Sequence, residues 1–534
     1  MSLVPVLAPV LARPRAALVA ITLALAALTA AAQTVAIGVG ADVTSADPHY
    51  HLYSPNQNIA DHVFDRLIER ADNLRMVPGL ALSWRAIDEL NWEFKLRPNV
   101  LFHDGTPFTA EDVVFSIERV GQIKDSPGPF TPYTKEIAAV QAVDPLTLRI
   151  RTTHPHPLLP NDLSVISIVS KKAASGATSA DFNSGKAAIG TGPYKLARFT
   201  RGDRVELVRN EAYWGRKPSA EKLVFKVLTN DAARVAALLS GDVQAIDAVP
   251  VTDVKKLAAN PDITVLQRAG TRLMYLYLDV GREVTPFVTD KDGKPLPHNP
   301  LKDLRVRQAL SRAIDRELIR TQVMEGASRP SGQLMISGLP GYVAGLEAPA
   351  ADIPGAKKLL AEAGYAQGFA LTLHGTNNRY VQDDQILQAL AQMWSRIGLS
   401  VKVEAQPAAV FFPRNNRGDY SVSMSGWVPD SADASSPLRA FLATRNKDKG
   451  MGTFNAGQYS NAKLDQLLER ALTTIDDSQR DKLLQQAVEL AMADVAVIPL
   501  HHQANITAVR KPIRYGGRTD ERIYGFDFVL QPQP

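Results

Sequence analysis

Apolar positions along this chain follow two rhythms that take turns. A period near two marks strands at residues 35–39, at 92–96 inside a strand-rich stretch from 84 to 101, and at 146–150, 205–208, 223–227, 274–278, 370–373, 401–405 and 420–424. A spacing near 3.6 predicts helices at 59–70, 232–240, 304–324, 356–363, 382–397, 463–474 and 478–492. Thr109-Ala110-Glu111-Asp112, just before Val113-Val114-Phe115, reads as a capping box opening one more helix. This strand–helix–strand alternation predicts an α/β sheet. No linker separates the blocks cleanly, so the domains are expected to be discontinuous in sequence. The polar, Pro-rich stretch 286–300 reads as a surface loop, and no repeat of 20–50 residues is visible.

One run breaks both rhythms. Residues 16–32, AALVAITLALAALTAAA, carry no charge and follow Arg13 and Arg15. A basic start, an apolar middle and a small-residue end predict a secretory signal peptide over 1–32, cut after Ala32. No later run approaches the roughly 18 apolar residues of a membrane span. The 534 residues contain no cysteine, which excludes disulfides, thiol nucleophiles and a lipid-modified cysteine. The expectation is a free periplasmic protein and not a lipoprotein. The formal net charge of +5 is weak and evenly spread, so no nucleic-acid partner is expected.

Candidate chemistry is sparse. No Gly-x-Ser-x-Gly elbow, phosphate-binding Gly-Lys-Ser loop or His-Glu-x-x-His helix is present, so catalysis has no local motif. Asp290-Lys291-Asp292-Gly293 reads as a turn, because Leu301 stands where a calcium loop needs its bidentate acid. Asp383-Asp384 and Asp476-Asp477 sit at helix starts, where carboxylates satisfy free amides. His49 with His51, and His501 with His502, are the histidine pairs that a metal reading would use. The loop Ser425-Gly426-Trp427-Val428-Pro429-Asp430 combines an aromatic wall with one fixed negative charge, which suits a small cationic or amphipathic ligand.

An ordered set of segments carries a resemblance. It comprises Ser45-Ala46-Asp47-Pro48, Val77-Pro78-Gly79-Leu80-Ala81 with Ser83-Trp84, Phe94-Lys95-Leu96-Arg97, Phe102-His103-Asp104-Gly105 and 109–116. It continues through Gly190-Thr191-Gly192-Pro193-Tyr194, Arg209-Asn210 with Tyr213-Trp214-Gly215, and Val306-Arg307-Gln308-Ala309-Leu310 with Ile314-Asp315-Arg316. Together they resemble the extracellular solute-binding proteins of family 5, the dipeptide/oligopeptide/nickel-binding class that serves ATP-binding-cassette importers.

The resemblance implies a periplasmic-binding-protein-like two-lobe clamp of type II with three domains (the cluster C architecture). Domain I would take 33–77, 190–272 and 499–534, domain II 78–189, and domain III 273–498. It implies a binding protein and not an enzyme, without cofactor or bound metal, working as a monomer that delivers a small molecule or short peptide to an inner-membrane permease. Asp430 falls where peptide-binding relatives place the aspartate that receives a ligand's α-amino group. Gly426 and Trp427 would frame it, Arg379 with Asn377 would meet the far carboxylate, and Tyr50 and Tyr53 would form the opposing wall. Ser431-Ala432-Asp433 replaces the usual acidic-proline continuation, and 282–299 is a long insert. Non-peptide cargoes (a metal chelate, opine, sugar or aromatic compound) therefore stand as the alternative within the clamp. A secreted metal-dependent hydrolase using the histidine pairs is the alternative from another class.

Overall fold

The computed structural model describes residues 34–429 and 431–531; the expected signal peptide and Asp430 lie outside the described residues. Twelve strands make one sheet that runs through both halves of the molecule. From one edge its order is Val288–Thr289, Ala370–Thr376, Val422–Trp427, Ile263–Leu278, Val497–Arg510, Ala245–Ile246, Thr34–Val39, Lys222–Val227, Arg204–Arg209 and Tyr194–Thr200. Ser400–Gln406 pairs with Ala370–Thr376, and Ser328–Pro330 with Val497–Arg510. A separate four-stranded antiparallel sheet, Ala81–Ala86, Asn91–Leu96, Thr147–Thr152 and Ile137–Asp144, forms an extension.

The central pair of strands carries the architecture. Ile263–Leu278 and Val497–Arg510 run antiparallel for their whole length, with the register shifting between Ala269 and Leu273. On one side of the shift they join the half containing Thr34–Val39, and on the other the half containing Val422–Trp427. The chain enters the second lobe on one of these strands and returns on the other.

Alternation along Ile263–Leu278 explains why the second lobe is solid. Leu273, Tyr275 and Tyr277 enter one apolar cluster, while Met274, Leu276 and Leu278 enter another on the opposite face. The first lobe has its own core around Ile37, Val205, Leu207, Leu223 and Phe225, and the four-stranded sheet packs another around Phe94, Leu148, Val113 and Ile117. Trp92 is buried in that last cluster with Trp84 and Trp214 packed against it.

Most expected elements are present with shifted ends. The capping box is formed: the Thr109 amide donates to Asp112 Oδ2 at 2.9 Å and opens the helix Ala110–Val120. Asp290 Oδ1 accepts from the amides of Asp292 and Lys294, as a turn requires. Two helices differ. The one expected over 59–70 spans Ser54–Val63, and Ile68–Arg70 is a strand paired with Met76–Pro78. Leu67 and Ile68 are buried either way, but the Leu67 carbonyl accepts from Ala81 at 2.9 Å instead of continuing a helical ladder. The helix expected over 304–324 stops at Arg312, and Asp315 caps a new turn through the Leu318 amide at 2.9 Å. Among the described residues no helix is long and apolar enough to cross a membrane.

Candidate functional site

In the second lobe, Ala370–Thr376 is parallel to both Ser400–Gln406 and Val422–Trp427. Parallel strands deliver their carboxyl ends, and the loops that follow, to one edge. Open α/β sheets form ligand crevices at that edge. Here it collects Asn377 and Arg379, Gln406, and Gly426 with Trp427. Trp427 pairs with Leu273 and Gly426 with Met274, so this edge abuts the register shift where the long strands cross between lobes.

Two side chains hold the loops in place. The Gly426 amide donates to Tyr380 Oη at 3.0 Å, and Tyr380 Oη faces the Gly426 carbonyl at 3.4 Å. A Cβ on residue 426 would lie 2.7 Å from Tyr380 Cε1 and 2.8 Å from Met274 Sδ, so this contact needs glycine. Asp383 is buried, and its Oδ2 accepts from the amides of Arg379 (3.0 Å) and Tyr380 (3.1 Å) and from Thr376 Oγ1 (2.6 Å). Its other oxygen takes the Asp384 amide at 3.1 Å. The carboxylate at this helix start thus fastens the preceding loop as well as the helix. Asn377 and Arg379 are exposed, with the Arg379 guanidinium 5.2 Å from the Tyr380 ring centre.

Trp427 is half-buried on an aromatic stack. Its ring lies 5.6 Å from Phe441 and 5.5 Å from Phe454, and its Nε1 donates to Ser436 Oγ at 3.1 Å. Phe441 stacks in turn on Tyr275 at 4.5 Å. Beyond Asp430, which is not described, Asp433 is fully buried. It accepts from the Ser435 amide at 3.0 Å and pairs with Arg480.

The structure therefore brings Asn377, Arg379, Gly426 and Trp427 to one edge. Tyr50 and Tyr53 belong to the first lobe. The Tyr50 carbonyl accepts from Ser126 Oγ, and Tyr53 stacks on His51 at 5.0 Å. The histidine pairs do not assemble. His49 is buried, with Nε2 2.8 Å from the Ser167 carbonyl and Nδ1 3.0 Å from Arg119, which also pairs bidentately with Asp47. His501 and His502 are successive buried residues of Val497–Arg510, so alternation sends them to opposite faces, and burial pushes them down to about 3 and about 4. No group of three or more metal-ligating side chains forms among the described residues.

A denser charge cluster was not foreseen. Asp61 pairs with both Arg66 and Arg522 and accepts from the Tyr524 hydroxyl. Arg518 pairs with Asp520 at 2.8 Å and donates to the carbonyls of Arg70 (3.1 Å) and Ala71 (3.2 Å). Burial pushes the Glu69 carboxyl up to about 8 against the pull of Arg66. Arg70 donates through Nε to Ser164 Oγ at 3.0 Å. Beside it, Leu74 sits at φ 68° and is buried in the second lobe's cluster with Leu273 and Tyr275. Ile475 of the second lobe packs back on the four-stranded extension. Read as a helix, 59–70 places Arg66 and Arg70 four residues apart beside Ile59 and Val63, where they pass for the charged edge of an apolar stripe. The ladder that holds Arg70 is a short hairpin, Ile68–Arg70 with Met76–Pro78, which helical spacing conceals.

The profile of the bacterial extracellular solute-binding proteins, family 5, matches residues 75–449. The chain is 26% identical over 495 residues to a probable D,D-dipeptide-binding periplasmic protein of Escherichia coli K12, covering 90% of each. It is 26% identical over 508 residues to the periplasmic oligopeptide-binding protein of Salmonella typhimurium LT2, covering 90% of this chain and 88% of that one. Among solved structures it is similar to HbpA2 of Haemophilus parasuis, with a TM-score of 0.80 and 25% identity over 93% of this chain and 100% of the other.

Proposed function

Because the chain belongs to the bacterial extracellular solute-binding proteins of family 5, we propose that it captures a short peptide or related amino compound between two lobes and passes it to an importer's permease. The family and the relatives named above are binding proteins, and the chain carries no catalytic motif. The periplasm is the compartment the family occupies. Removal of 1–32 and a free, unlipidated chain are part of this reading, as are a monomeric state and the three-domain division at 33–77, 190–272 and 499–534; 78–189; and 273–498.

One observation carries it: the Tyr380 hydroxyl and the Gly426 backbone clasp two loops together at the carboxyl edge of the second lobe, beside the strand crossing. In this reading Trp427 and Gly426 present an apolar wall and Asp430 receives the ligand's ammonium. Arg379 and Asn377 stand at the rim, and Tyr50 and Tyr53 close from the first lobe. Enclosure strengthens the ammonium–carboxylate contact, since desolvated charges are little screened. Cargo that binds the closed state better would shift the population toward closure about the strand pair.

Calorimetry with pooled di- and tripeptides tests this reading. Binding by the wild type and its loss in both Asp430→Asn and Asp430→Ala are expected. Full affinity in either variant removes Asp430 from the site, and no binding of any pool removes the peptide cargo.

A further inference from the structure

Five arginines crowd the junction of the lobes, and four have a carboxylate. Arg66 and Arg522 share Asp61, Arg518 holds Asp520, and Arg480 holds Asp433. Arg70 forms no ion pair with any described residue. Its Nε is used by Ser164 Oγ, but Nη2 is buried and has no acceptor among the described residues. The nearby charges do not remedy this. Arg66 and Arg522 repel it; Asp520 attracts it but is paired with Arg518, and Asp433, which reaches it from the second lobe, is committed to Arg480 and the Ser435 amide. Even with its proton affinity lowered to about 10 by burial and those neighbours, Arg70 stays charged at neutral pH.

The unsatisfied atoms around it are nearly all of one kind. Among the described residues Gln57 Nε2, Arg66 Nε, Arg70 Nη2, Arg480 Nε and Arg522 Nε are buried donors without acceptors, while Asp61 Oδ1 is in ionic contact with Arg66 and Ser167 Oγ, bridged to Arg66 through its backbone, is an unpartnered hydroxyl. A buried surplus of N–H groups is complementary to a group that only accepts, and a carboxylate is the strongest such group in a small cargo. Position agrees. Arg70 touches the extension through Ser164, supports Arg518 through its carbonyl, and precedes the Leu74 turn that enters the second lobe.

We infer that Arg70 is the first lobe's receptor for a carboxylate of the enclosed cargo. This rests on the reading that cargo is enclosed between the lobes. It assigns the buried anion contact to Arg70 and leaves Arg379 at the exposed rim.

The test is calorimetry of pooled free-acid di- and tripeptides against the same pools with amidated C-termini. It compares the wild type, Arg70→Gln, Arg70→Lys and Arg379→Gln, each checked for folding by circular dichroism. Free acids should bind the wild type at least about tenfold tighter than amides, since charge-assisted bonds are the strong ones. That ratio should fall to within about twofold in Arg70→Gln, stay intermediate in Arg70→Lys and survive in Arg379→Gln. A ratio unchanged in both Arg70 variants, or amides binding the wild type as well as acids, overturns the inference while the peptide reading stands. If neither pool binds the wild type, the peptide reading fails, and opines and sugar acids against their methyl esters decide Arg70. Acid preference lost in Arg70→Gln upholds it, and no preference or no binding overturns it.

Discussion

Tyr380 is the residue on which the candidate site turns, because one hydroxyl fixes the distance between two loops. Tyr380→Phe keeps the ring and removes the clasp. A net hydrogen bond is worth about 1 kcal/mol, so peptide-pool affinity should fall roughly fivefold by calorimetry with little change in thermal midpoint. An unchanged affinity would mean the loops hold their spacing without it. Asp433 is different, since its partner Arg480 is also buried. Asp433→Asn should cost about 3–5 kcal/mol in urea unfolding by stranding that charge. A loss under 1 kcal/mol would show that water reaches Arg480. Gly426 and Trp427 were legible because they lie in one short stretch of unusual composition. Asp383 was legible as a helix-start carboxylate but not as the anchor of a loop, since its bonds to Arg379 and Tyr380 reach backward from the helix. Arg66 and Arg70 were not legible, because a helical spacing and a short strand bury the same Leu67 and Ile68.

At the scale of elements, strands were read more reliably than helix ends. Alternating apolar residues at 274–278 imply a strand with two covered faces, and both clusters are there. What local pattern cannot supply is the partner: Ile263–Leu278 is far longer than the expected 274–278 because Val497–Arg510, over two hundred residues away, pairs with it throughout. The crossing itself is tight. A Cβ on Gly270 would lie 2.6 Å from the Gln503 carbonyl oxygen and 2.8 Å from Asn505 Oδ1. Gly270→Val should push the strands apart, cost about 1–3 kcal/mol in urea unfolding, and blunt the ligand-induced fall in radius of gyration by small-angle scattering. The same contraction as wild type would place the bending elsewhere.

For the whole molecule, buried ionisable groups set a pH window. His49, His62, His103 and His502 are pushed down to about 4 and His501 to about 3, mainly by burial. Between pH 6.5 and 4 the unfolded chain binds protons that the folded chain refuses, so stability falls with acidification. Glu69, raised to about 8, and Asp247, raised to about 6, act oppositely, because the folded chain keeps their protons as pH rises. Above 6.5 only Glu69 among these still titrates, so the urea midpoint should peak near pH 6.5. The acid limb should be the steeper, and Glu69→Gln should flatten the alkaline one. A midpoint unchanged from pH 4 to 7 would show the histidine rings to be hydrated. Leu74 offers a second whole-molecule test. Its insertion across the junction predicts that Leu74→Asp weakens cargo binding more than it lowers the unfolding midpoint. The reverse order would make Leu74 core and not latch.

The paired passage of the chain between the halves has a mechanical consequence. Two strands bonded edge to edge behave like a strap: the ribbon flexes across its thin direction and resists sliding or bending in its own plane. Each release of cargo would then leave the halves aligned for the next capture, so recovery after delivery is a return swing along one path and not a search through orientations.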